Sequence, residues 1–197
     1  MSSIDDFFDN DSLEEEPYYE KSIDPIKGLI EEWLKDNCDI EGSYSINEDN
    51  SIDVEGSISI STDESKLLGC IRFNNISGDF DCSNCSSLES LEGAPKEVGG
   101  NFDCSSCNSL KNLEHAPIKV GGNFNCSNCY SLESLAGMPE TLSGSFYCVN
   151  CTSLKTLESA PDEVTGNFDC SGCNSLKSLE SAPKVKGNFT CPGRLVK

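Results

Sequence analysis

The residues best able to bind a metal or take part in redox chemistry are thirteen cysteines, ten of which form five C-x-x-C pairs. Thiolates in such pairs are common zinc ligands, and the 18 residues between Cys85 and Cys104 suit a zinc site. However, Ile60 stands where an early copy of the pattern would place its first cysteine, and Arg194 stands where Cys191 would need a partner. We therefore favour buried, reduced thiols that pack as small hydrophobes. Zinc bound between coils, and redox or disulfide chemistry, remain the alternatives.

Other catalytic signatures are weak. His115, the only histidine, occupies a turn position that Gly93, Gly137, Ser159 and Ser181 hold elsewhere. The sequence contains no phosphate-binding loop, no dinucleotide-binding glycine motif and no H-E-x-x-H motif. These observations predict a protein that is not an enzyme and needs no metal or other cofactor.

A repeat of 22 residues organises most of the chain. Five copies align on Gly-x-Phe, from GDFDCSNC (78–85) to GNFDCSGC (166–173), and a shortened copy, GNFTC, follows at 187–191. A fixed period of this length predicts a solenoid. Within GNFDC, Phe102 and Cys104 alternate with polar residues, as in a strand with one buried face. Each coil adds a Phe, a Cys, two Leu and a Val to the core, and an Ala-Pro step and a Gly pair are expected to turn the chain into the next coil.

Different patterns precede the repeats. SIDPIKGLIEEWLKDN predicts a helix that covers the first coil with an apolar stripe of Ile26, Leu29, Ile30, Trp33 and Leu34. IEGSYSIN (40–47) and VEGSISIS (54–61) align with the repeats and place Tyr44 and Ile58 in the Phe102 position. Their close spacing favours a tight β-hairpin that caps the stack. The sequence predicts five segments: an acidic flexible tail (1–21), a capping helix (22–37), a capping hairpin with degenerate repeats (38–75), the solenoid (76–191) and a C-terminal tail (192–197).

The pattern F-x-C-x-x-C-x-x-L-x-x-L with a following proline resembles cysteine-variant leucine-rich repeats, in which Cys replaces the usual ladder Asn. More closely, residues 22–191 resemble leucine-rich-repeat-like proteins of tailed bacteriophages. The resemblance implies a mainly β, leucine-rich-repeat-like solenoid with a parallel sheet and an N-terminal helix and hairpin cap. It also implies binding rather than catalysis. One departure is that CSSC (104–107) keeps a second cysteine where many such coils have Asn.

The net charge of the chain indicates which kind of partner the protein is expected to bind. The chain carries 34 acidic and 14 basic residues, and residues 1–70 account for most of the net charge of −20. This balance disfavours direct nucleic-acid binding and suggests a protein partner with a basic surface. No apolar run is long enough for a membrane span, and the acidic N-terminus is unlike a signal peptide. We therefore expect a cytoplasmic protein, in the host cytoplasm if it is phage-encoded, and the oligomeric state stays open.

Two segments are candidate binding sites. Tyr147 and Val149 are the only apolar residues in three predicted outward columns of the sheet, and the candidate hot spot on this face is Tyr130, Tyr147 and Val149 flanked by Asp81, Asp103 and Asp169. Neutral drift within one coil is the alternative. The second candidate is the tail, in which Phe7, Phe8, Tyr18 and Tyr19 accompany many acids. A purely solubilising tail is its alternative.

These features predict a non-enzymatic protein-binding scaffold, with a host defence or DNA-processing protein as the target that the phage resemblance suggests. A first alternative is an acidic DNA mimic that inhibits a DNA-binding protein. A second alternative is a zinc-dependent structural protein.

Overall fold

The computed structural model describes residues 25–61 and 71–195. It begins with helix α1 (Pro25–Asn37) and a hairpin of β1 (Cys38–Ile46) and β2 (Ser51–Ile60), which pair antiparallel with Cys38 opposite Ile60. At the turn, the Asp49 carboxylate accepts a hydrogen bond from the Ser51 N–H (3.0 Å). The predicted hairpin is thus confirmed. No helix in the described part of the chain is long and apolar enough to cross a membrane.

The repeats form a parallel solenoid in which each coil contributes two short strands. One set of strands, the phenylalanine stack, continues the C-terminal half of β2. Its members are β4 (Phe80–Asp81), β6 (Phe102–Asp103), β8 (Phe124–Asn125), β10 (Phe146–Tyr147), β12 (Phe168–Asp169) and β14 (Phe189–Thr190). The predicted mainly β, parallel, leucine-rich-repeat-like solenoid is confirmed.

The second set of strands, the valine stack, differs from the expectation of a plain turn after each Ala-Pro step. It continues the N-terminal half of β2 through β3 (Arg72–Ile76), β5 (Glu97–Val98) and β7 (Lys119–Val120). The pairing is interrupted there, and β9 (Thr141–Leu142), β11 (Glu163–Val164) and β13 (Lys184–Val185) form a separate three-stranded sheet. The Gly pair that follows forms the corner between the two stacks. A Cβ on Gly122 would lie 2.8 Å from the Gly100 carbonyl oxygen, so glycine is needed for the close approach of successive coils.

Stacked ladders of identical residues fill the core. The rings of Phe102, Phe124 and Phe146 are fully buried, with neighbouring centroids 4.9 and 5.7 Å apart. Two leucines of each of the first four coils, such as Leu110 and Leu113, are buried behind them, and Leu176 is the buried leucine of the fifth coil. Each coil alone could not bury this surface, so the stack is stabilised by the contacts between neighbours.

Two of the expectations about buried residues in the N-terminal cap are wrong. Only Ile30 and Leu34 of the predicted helical stripe are buried, whereas Ile26 and Leu29 are exposed by 53% and 66%. Ile26 lies one turn before Ile30 on the same side of the helix, in its first turn, whereas Leu29 lies about 100° around the helix axis from Ile30. Tyr44 does not take the buried Phe position, because its strand runs antiparallel and pairs it with Val54. Ile58 does take that position, opposite Phe80.

Candidate protein-binding face

The outer surface of the phenylalanine stack brings the predicted aspartates into one row. Parallel pairing places Asp81 beside Asp103 and Asp103 beside Asn125, followed by Tyr147 and Asp169. Neighbouring parallel strands are about 4.8 Å apart, so successive side chains in the row can contact one partner together. The expectation that these residues share one face is confirmed.

Local hydrogen bonds hold each aspartate of this row in place. The carboxylate of Asp81 accepts from the N–H two residues later, at 2.8 Å, and Asp103 does the same. Asn125 makes the equivalent bond through its amide oxygen at 3.0 Å, and its amide nitrogen donates to Asp103 at 2.9 Å. An Asp or an Asn can therefore form this turn, so the turn itself does not require the negative charge at Asp81 or Asp103.

The neighbouring outward column has a structural role. The Asp79 carboxylate accepts from the Asn101 N–H, and the Asn101 amide oxygen accepts from the Asn123 N–H at 2.8 Å. The same bond continues to Ser145 and onward along the stack. This column is a polar ladder that joins successive coils through their backbone. The sequence placed these residues on the surface correctly but gave no sign of the ladder.

The hairpin adds two carboxylates that the sequence did not identify as part of this face. Asp39 pairs with Ser59, which in turn pairs with Asp81. Glu41 pairs with Ser57, whose hydroxyl accepts from the Asp79 N–H. Directly paired residues share a face, so the acidic surface starts at Asp39 and Glu41. Only the antiparallel register, which the repeat alignment did not provide, could have revealed this.

A shallow groove of about 270 Å³ lies along this surface, which we call the acidic face: Asp39, Glu41, Asp79, Asp81, Asp103 and Tyr147. The groove is lined by Asp79, Asp81, Asp103, neighbouring asparagines and Tyr147 at its far end. Basic residues lie elsewhere on the coils, where Lys119 forms an ion pair with Glu97 at 3.2 Å. The face therefore presents uncompensated negative charge beside one aromatic ring.

The structure brings only part of the predicted hot spot together. Tyr147 and Val149 are half-buried, and the Val149 N–H lies 3.3 Å from the Ser127 hydroxyl oxygen. Tyr130 is 50% exposed but follows the second cysteine of its coil and does not line the groove. The tail candidates Phe7, Phe8, Tyr18 and Tyr19 lie outside the described residues.

The cysteine pairs form two buried columns inside the coils. From the second coil to the fifth, the second thiol donates to the first cysteine's carbonyl in the preceding coil, as from Cys129 to Cys104 at 3.2 Å and from Cys173 to Cys148 at 3.0 Å. The thiols thus bond coil to coil from within the core. Burial raises the pKa of Cys170 to about 12 and also raises the pKa of Cys126, so these two thiols stay protonated and are poor nucleophiles. In contrast, hydrogen bonds with Cys104 and Cys148 lower the pKa of Cys129 and Cys173.

His115 lies in a turn, as the sequence predicted. His115 is exposed and has a φ of 68°, and Gly93, Gly137 and Ser159 share this left-handed conformation in the other coils. Within residues 25–61 and 71–195, no group of three His, Cys, Asp or Glu side chains is arranged to hold a metal ion. The acidic face is therefore the site on which we base a functional proposal.

Comparison with known proteins identified no matching family model, no matching curated protein and no matching solved structure.

Proposed function

We propose that the protein is a non-enzymatic binding scaffold whose acidic face engages a basic surface of another protein. The observation that carries this proposal is the groove in which Asp79, Asp81 and Asp103 lead to Tyr147. Carboxylates steer a basic partner and an aromatic ring anchors it, which is a common division of labour in protein interfaces. The phage resemblance adds a host defence or DNA-processing protein in the host cytoplasm as the proposed target.

The fixed positions of the side chains support binding over a solubilising role. Asp81 and Asp103 are half-buried and each is held by a backbone hydrogen bond. Side chains that are already ordered lose less conformational entropy when a partner binds. Asn125 forms the same turn, so the charge at Asp81 and Asp103 is additional to what the turn needs.

The repeats themselves supply matched variants for the test. Asp81→Asn with Asp103→Asn removes two charges and keeps the acceptor oxygen of each turn, as Asn125 shows in the same row. Because Asp103→Asn also gives up the bond from the Asn125 amide nitrogen, the circular dichroism spectrum of the pair must match that of the wild type. The control pair, Glu92→Ala with Glu114→Ala, removes two charges from an exposed turn where the third coil already has Ala136.

The assay is capture from bacterial lysate on each immobilised protein at about 0.1 M and about 1 M NaCl, quantified by mass spectrometry. We expect a specific protein to be retained by the wild type and by the control pair at low salt. It should be lost from the asparagine pair and largely lost at high salt, because the Debye length falls from about 10 to about 3 Å. Equal capture by all three proteins would contradict the proposal.

The contribution of Tyr147 and Val149 to partner binding is tested with the same capture assay. Tyr147→Asn with Val149→Ser gives this coil the residues of the coil before it, so the fold is expected to persist. Capture should weaken at both salt concentrations, because the lost contact is apolar. Adding duplex DNA as a competitor distinguishes the DNA-mimic alternative, which predicts that DNA displaces the partner.

A further inference from the structure

Strand β1 is an open edge of the main sheet. Among the strands that the structure describes, it pairs only with β2, and residues 41–45 are all exposed. An unpaired edge presents backbone donors and acceptors that can bind a further strand. At nine residues, this edge is long enough to take one.

The hydrogen bonds of the hairpin show which groups are available. Asn47 N–H donates to Ser51 O and Ser61 N–H donates to Asn37 O, so the odd-numbered residues of β1 pair with β2. In an antiparallel pair, the residues between them direct their backbone groups away from the partner. These are the even-numbered residues, and the Lys27 ammonium indeed donates to Ile46 O from outside, at 3.3 Å. The backbone groups of Ile40, Gly42 and Tyr44 therefore face outward.

A groove of about 580 Å³ runs between this edge and α1. Ile40 and Tyr44 line one wall, and Glu31, Glu32 and Lys35 line the other. A strand takes up about 4.8 Å, whereas a helix is about 10 Å across. A single extended strand is therefore the narrower of the two elements that could be added beside β1, with α1 as the opposite wall.

The charge around the groove defines the occupant. Residues 25–61 carry nine carboxylates and two lysines. Side chains of an added strand would alternate between Asp39 and Glu41 on the outer face and Glu31 and Glu32 on the helix. Lysine or arginine on either face of the strand would meet opposite charge. The chain's own residues 1–24 are themselves strongly acidic and do not fit this requirement.

Gly42 adds a requirement for one small residue. Its φ is 130°, and a Cβ there would lie 2.0 Å from the Glu55 carbonyl oxygen. The hairpin bends at this point, opposite Gly56, around the same corner that the glycines of the repeats form. A strand that follows the bend needs a glycine opposite Gly42 for the same reason.

We propose that the β1 edge and the groove beside α1 bind one extended segment of a partner protein, rich in Lys or Arg and with a central glycine, by adding it as a strand. This site shares Asp39 and Glu41 with the acidic face but none of the residues that line the groove there, so substitutions at Asp81 and Asp103 distinguish the two proposals.

The probe is the peptide acetyl-Thr-Lys-Val-Lys-Gly-Lys-Val-Lys-Thr-amide, added to the full-length protein under reducing conditions. Amide hydrogen exchange followed by NMR should show new protection at Ile40, Gly42 and Tyr44, and little change at Glu41 and Ser43, which are already bonded to β2. A peptide with N-methyl groups on the amides that face β1 keeps its charge and should lose the protection.

Two matched substitutions test the edge itself. Tyr44→Pro removes an outward N–H, which an edge strand tolerates, whereas Tyr44→Thr removes the same ring and keeps the N–H. We expect peptide affinity to fall about threefold to tenfold further for the Pro variant than for the Thr variant. Asp39→Asn with Glu41→Gln removes the carboxylates that the peptide's lysines would face and should weaken binding in a salt-dependent way, with an unchanged fold.

The asparagine pair on the acidic face should bind the peptide normally, which keeps this test independent of the proposed function. The inference would be overturned by absent peptide binding to the folded wild type, or by protection at other amides. It would also be overturned if the same even-numbered amides became protected by self-association without peptide, because the occupant would then be a second copy of the chain.

Discussion

The cysteine ladder offers a stability prediction that separates packing from metal chemistry. Cys129 is fully buried and its thiol donates to Cys104 O at 3.2 Å. Cys129→Ala removes one buried sulfur, comparable in size to a methylene, at a cost of about 1–1.5 kcal/mol. Loss of the hydrogen bond adds about 0.5–1.5 kcal/mol. The free energy of unfolding should fall by about 1.5–3 kcal/mol in total.

Urea unfolding under reducing conditions measures this loss, with fluorescence of the only tryptophan, Trp33, and far-UV circular dichroism as two probes. Cys191→Ala, in a half-buried position at the end of the stack, is the control and should cost less than about 1 kcal/mol. A Cys129→Ala loss below about 0.5 kcal/mol would refute the ladder's contribution. A wild type that a chelator destabilises by several kcal/mol would show that the thiols bind metal instead.

Two further predictions concern pH and backbone conformation. The folded-state pKa of Cys170 is raised to about 12, and that of Cys126 is also raised. Their contribution to stability is therefore fully present below the unfolded thiol pKa of about 9 and falls as the pH rises from there toward 12. The urea midpoint should decline over this range, and a midpoint that stays constant up to about pH 11 would contradict the prediction. His115→Gly replaces a residue in the left-handed conformation with one that adopts it without strain, at some cost in chain entropy. The free energy of unfolding should therefore stay the same or rise by up to about 1 kcal/mol, with a melting temperature that is unchanged or higher. Gly137→Ala at the equivalent turn should destabilise the protein, because its Cβ would lie 2.1 Å from Leu113 O, and similar melting curves for both variants would argue against this account of the turn.

Much of the fold follows from the sequence because the alternation of apolar and polar residues in each repeat indicates which side chains are buried. Phe102 and Cys104 alternate with polar residues, and both are fully buried. The same information was insufficient at the cap, where helical periodicity placed Leu29 among core residues although it is 66% exposed. An apolar stripe states which residues could be buried, but the angle at which the helix meets the core decides which ones are.

The acidic face was only partly predictable for a related reason. Asp81 and Asp103 are repeat-equivalent, so the 22-residue period alone places them side by side. Asp39 and Glu41 join them through an antiparallel register, which a search for repeats does not detect. The ladder that starts at Asp79 is made of bonds between a side chain and the next coil's backbone, and these depend on the spacing of coils in three dimensions.

The central claim, that the acidic face contacts a basic partner, is tested most directly by zero-length carbodiimide cross-linking of the captured complex, since this reaction joins carboxylates to lysines in contact. Mass spectrometry of the cross-linked peptides then identifies the carboxylates involved. The account predicts links from Asp79, Asp81 or Asp103 to lysines of the partner. Links confined to Glu92, Glu114 and the other glutamates of the turns would contradict it.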